Sequence, residues 1–120
     1  MVGKSFLGGG MYNPTPDQMA KYRQEVDYNG AALRKIVESS LFVETFGAAE
    51  GELLQKVPKG FDPSPEDAAY LRRKQLFYWK HYTDKEIVHP NFTEQLIVDS
   101  KVMKPFLIFL NTTFFDKEPF

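Results

Sequence analysis

The eight residues Leu76-Phe77-Tyr78-Trp79-Lys80-His81-Tyr82-Thr83 constrain the fold more than any other stretch of the chain. Bulky aromatic side chains at this density lose rotamer freedom in a helix but fit the pleated surface of a strand. Alternation predicts Phe77, Trp79 and His81 on one face, with Leu76, Tyr78, Lys80 and Tyr82 on the other. A strand needs neighbours, and the rest of the sequence offers few. Leu53 to Val57 is expected to form a short strand ended by Pro58-Lys59-Gly60. The triple glycine Gly8-Gly9-Gly10, behind Phe6-Leu7, reads as a strand or sharp turn that needs close backbone approach.

Helix signals dominate elsewhere. Thr15-Pro16 with Gln18 has capping-box spacing, and Met19, Tyr22 and Val26 then share one face. Asn29-Gly30 is expected to break that helix and start another carrying Leu33, Ile36, Val37 and Ser40 or Leu41 on one side. Ser64-Pro65-Glu66-Asp67 is the best cap in the chain, its hydroxyl expected to satisfy an amide. Arg72, Arg73 and Lys74 are placed in the last turn of the helix it starts. Thr83 and Glu86 predict a short helical turn, and Asn91 and Glu94 a longer helix. Pro105 either kinks that helix or begins a final one, with Phe106, Leu107, Leu110 and Phe114 on its apolar side.

The expected class is therefore α+β: several short helices packed on a small, mostly antiparallel sheet. At 120 residues the chain reads as a single domain spanning 1–120. Two or three strands make a thin sheet, so the domain is expected to be partial or completed by a partner. Aromatic residues make up 15% of the chain, a heavy load for a core of this size.

Composition excludes several functions. With no cysteine there is neither a disulfide nor a thiolate metal site. His81 and His89 lack a second ligand at helical spacing, so no metal site is assigned. Nothing in the pattern implies a cofactor, and no serine has the flanking glycines of a nucleophile elbow, so no catalytic residue is named. A formal net charge of −1 argues against nucleic acid, although Arg72 to Tyr82 interleaves cations with rings. The longest apolar stretch, Pro105 to Leu110, is too short for a membrane span, and Met1 to Leu7 has no apolar core of a signal peptide. A soluble, cytoplasmic protein is expected.

Two groups of residues, taken together, are similar to a known family. The first is Phe6-Leu7-Gly8-Gly9-Gly10-Met11-Tyr12 with Pro16, Arg23 and Phe46-Gly47. The second is Lys56-Val57-Pro58-Lys59-Gly60-Phe61-Asp62 with Leu71, Lys74, Pro105-Phe106-Leu107 and Leu110-Asn111. From Ser5 to Asn111 the chain resembles domain of unknown function 2461, conserved hypothetical proteins of bacteria and fungi. The resemblance implies longer relatives, of which this chain matches the C-terminal half. It implies no activity.

The expected function is thus a structural or interaction domain, its partner a second copy (a homo-oligomer) or the missing N-terminal half. The alternative is a site for a small anion, phosphate or carboxylate, binding or enzymatic. It would be built from Gly8, Gly9, Gly10, Arg23, Lys56, Lys59 and Lys74.

Overall fold

A computed structural model describes residues 5–115 of the chain. Strand β1 (Ser5–Met11) leads into helix α1 (Pro16–Val37), α2 (Ser40–Phe46) and α3 (Pro65–Leu71). Strand β2 (Leu76–Tyr82), the short α4 (Asp84–Ile87) and the long α5 (Phe92–Phe115) follow. The two strands pair antiparallel, with Phe6 opposite His81, Gly8 opposite Trp79 and Gly10 opposite Phe77. The class is α+β, and among the described residues the sheet has two strands.

Local chemistry explains the element starts. The Thr15 hydroxyl accepts from the Gln18 amide while the Gln18 side chain accepts from the Thr15 amide, and Thr83 and Glu86 repeat the arrangement at α4. Met19, Tyr22, Val26, Leu33 and Val37 line the buried stripe of α1. Asn29 leaves helical geometry (φ −144°, ψ 42°), so α1 is two helical segments meeting at a kink, where Asn29-Gly30 is expected to interrupt it, and both segments bury their apolar face. α5 passes through Pro105 as one helix. Met103, Phe106 and Leu110 are buried there.

Three expectations are corrected. Leu53 to Val57 forms no strand; Leu53 makes an isolated bridge to Arg73, and the segment holds the 72–77 backbone only at scattered points. The Ser64 hydroxyl caps no amide and lies 3.5 Å from Asp67 Oδ2. α3 ends at Leu71, so Arg72, Arg73 and Lys74 lie beyond its last turn.

The core sits between one face of the sheet and the helices. Phe42 of α2 meets Tyr78 of β2 at a centroid distance of 4.9 Å, and Tyr78 meets Phe106 of α5 at 5.2 Å, both edge-on. Gly9 lies against α5: a Cβ there would come within 2.7 Å of Leu107 Cδ2. The helices cover the Tyr78 face only, and this one-sided packing sets up the surface described next.

Candidate functional site

The uncovered face of the sheet is a strip of rings. Tyr12 meets Phe77 at 5.0 Å, Phe77 meets Trp79 at 5.3 Å, and Trp79 meets His81 at 5.4 Å. Phe6 of β1, 54% exposed, packs edge-on to Trp79 at 5.0 Å. Glycine opposite these rings makes the strip possible, since a Cβ at Gly8 would lie 2.7 Å from Trp79 Cβ. Glu50 fixes the indole by accepting from Trp79 Nε1 at 2.6 Å. The aromatic load therefore divides: Tyr78 and Tyr82 enter the core, whereas Phe77, Trp79 and His81 face outward. Alternation predicted the two faces; it did not predict that one of them stays uncovered.

The sheet edges differ as well. Glu50 pairs with Phe77 through both backbone groups, and just before β2 Glu52 accepts from the Lys74 amide and Leu54 donates to Arg72, so residues 50–54 shield the start of the β2 side. Among the described residues, no backbone hydrogen bond reaches β1 from its far side. Ser5–Met11 contains no charge and no proline, the usual guards of an open edge. Beside that edge runs a groove of about 340 Å³ lined by Gly10, Leu107, Ile108 and Phe114, with Lys104 and Asn111 as its polar members. Leu107 and Ile108 are exposed to 42% and 53%.

On the buried face, Lys80 and Tyr82 of β2 converge on Asp99 of α5. Asp99 Oδ2 accepts from the Tyr82 hydroxyl at 2.6 Å and pairs with Lys80 Nζ at 3.0 Å, while Oδ1 accepts from Gln95 Nε2 at 2.9 Å. The network ties the end of β2 to α5, so it orders the strand that carries the ring strip. Burial and Asp99 push the Tyr82 hydroxyl above its ordinary range. Burial also raises Tyr22 and Tyr70, and pushes Tyr78 up to about 12. Above the ordinary tyrosine value, about 10, the unfolded chain releases protons that the folded chain retains. Stability is thus whole below about pH 10 and falls as pH rises further. A pH titration of tyrosinate absorbance should therefore show a cooperative rise coincident with loss of helical circular dichroism, rather than four independent ionisations.

The residues assigned to an anion site are placed as follows. Gly8, Gly9 and Gly10 lie inside β1. Arg23 donates to the carbonyls of Leu71 and Arg73, at 3.1 and 2.9 Å, securing the chain between α3 and β2. Lys74 pairs with Glu52 at 3.1 Å. Lys56 and Lys59 are exposed in the 55–60 loop. Three residues outside that set matter more to the surface: Phe6 and Glu50, set by pairing register, and Arg73, which lines a cavity below α3. Phe6 was visible in its glycine motif and Arg73 in the basic cluster, but not their places, and no sequence signal marked Glu50.

Among the described residues, no group of three or more His, Cys, Asp or Glu is placed to hold a metal ion, and no helix is long and apolar enough to cross a membrane. Compared with known proteins, residues 1–109 match the family model described as Conserved hypothetical protein (DUF2461). No curated protein and no solved structure gives a match.

Proposed function

The chain belongs to the conserved hypothetical protein family DUF2461, and on that premise we propose that it is an interaction domain that extends its sheet by strand addition at β1, a second copy of the chain supplying the strand. The observation that carries this reading is the open, uncharged β1 edge beside a largely apolar groove, in a sheet of two strands among the described residues. Two strands are marginal in isolation, whereas four make an ordinary sheet.

The β1 sequence favours itself as partner. An antiparallel two-fold pairing centred on Gly8 sets Phe6 opposite Gly10 of the second copy, and Leu7 opposite Gly9 of the second copy. Each side chain then covers a glycine, the arrangement in which aromatic rings rescue glycine in a sheet. The added strand also covers part of the Leu107 and Ile108 surface.

Sedimentation velocity over a concentration series checks the proposal, with Phe6→Lys as the altered chain. The natural chain is expected to pass from monomer to dimer. Phe6→Lys should weaken association at least about tenfold, because it removes two symmetry-related ring contacts and places a cation on the edge. Its thermal midpoint should move little, since Phe6 is more exposed than buried. Equal association of both chains would sink the assignment of β1 as the interface.

A further inference from the structure

A cavity of about 430 Å³ opens where the C-terminal ends of α1 and α2 meet α3 and β2, and none of its lining residues belongs to β1. Val37, Val43 and Ala69 give it an apolar wall, and Tyr70 and Tyr78 an aromatic one. Arg73 lines it too. Its Nε is enclosed and has no hydrogen-bond partner, and among the described residues no ion pair includes Arg73.

An enclosed, uncompensated donor on a guanidinium is costly unless something accepts from it. The two nearby carboxylates are otherwise engaged. Glu38 accepts from the Tyr70 hydroxyl at 2.5 Å. Glu66, at the start of α3, is held below the usual carboxylate range by its own backbone amide, helped by the Ser64 hydroxyl. Both line the cavity and both carry negative charge, which decides the kind of ligand. A doubly charged phosphate would meet two carboxylates for one arginine. A monoanion would meet the guanidinium fork with far less repulsion, and a planar carboxylate matches that fork best. The cavity volume is at the small end of ligand sites, and its lining is mostly apolar.

We propose that Arg73 anchors a small monocarboxylic acid with a compact apolar or aromatic body in this cavity. Tyr70 and Tyr78 contact the body, and Glu38 and Glu66 select against multiply charged anions. The site shares no residue with the anion set read from the sequence.

Amide NMR titrations of the full chain with benzoate, and separately with inorganic phosphate, test this. Benzoate is expected to give saturable shifts at Ala49, Ala69 and Tyr78, with a dissociation constant of about 1 mM or tighter. Phosphate should not saturate in the same range. Arg73→Gln should weaken benzoate at least about tenfold while the chain stays folded, because Nε has no hydrogen-bond partner and, among the described residues, no ion pair includes Arg73. Ala69→Leu, which narrows the cavity and leaves Arg73 in place, should weaken it similarly and decides the matter if Arg73→Gln fails to fold. Absence of saturable benzoate shifts, equal binding of phosphate, or unchanged binding in both variants would each overturn the proposal.

Discussion

Replacing Asp99 with alanine is expected to destabilise the chain by about 3 kcal/mol, from a buried phenol left without its acceptor and the cavity the carboxylate vacates. Against a typical total of about 5–15 kcal/mol, that leaves a domain of this size close to unfolding. The geometry accounts for the size of the effect. The Asp99 side chain is only 3% exposed, and its two oxygens serve Tyr82, Lys80 and Gln95 at once. Its loss leaves a buried phenol without its acceptor and an ammonium without its counter-ion. Lys80 is a quarter exposed and can turn toward water, so the cost falls mainly on Tyr82 and on the cavity left behind. Urea unfolding followed by circular dichroism measures it. A paired replacement separates charge from packing: Lys80→Met with Asp99→Leu should recover a large part of what Asp99→Ala loses. If Asp99→Ala costs less than about 1 kcal/mol, the network does not hold β2 to α5.

Gly10→Val is the second large effect, with an expected loss of about 3 kcal/mol or more and separation of β1 from β2. Gly10 has φ +134°, which side-chain-bearing residues rarely adopt, and a Cβ there would overlap the Leu76 carbonyl and lie 2.6 Å from Phe77 Cα. Strain and overlap act together. Gly47 offers the control, since φ is +72° and nothing lies within 4 Å of a Cβ. Gly47→Ala should therefore show the conformational term alone, about 1–3 kcal/mol. Thermal midpoints of the two variants distinguish the contributions. Similar losses at both positions would mean that crowding against β2 is unimportant.

The contrast between these glycines also shows how much of the fold was legible in the sequence. Short-range chemistry was: the Thr15 and Thr83 caps, the buried stripe of α1 and the two faces of β2 follow from neighbours three or four residues apart, or from simple alternation. The triple glycine was legible as a close approach, though not what it approaches. Pairing register was the missing information. It puts Gly8 under Trp79 and makes Phe6 part of the ring strip, and no local pattern specifies it. Leu53 to Val57 has strand-like composition but finds only scattered partners in the 72–77 segment. The same limit governed the anion set. Arg23 reaches carbonyls 48 and 50 residues away, a destination that helical spacing around it cannot disclose. Arg73 stood within a visible basic cluster, but its lack of an ion pair among the described residues is a tertiary fact.

The central claim is that the β1 edge receives a strand from a second copy of the chain. Amide hydrogen exchange resolved along the sequence, at low and high protein concentration, tests it at the atoms concerned. The account predicts that amides within residues 5–11 slow by at least about tenfold as concentration rises, while those in α1 stay constant. Exchange in residues 5–11 that is independent of concentration, in a chain that remains folded, would contradict it.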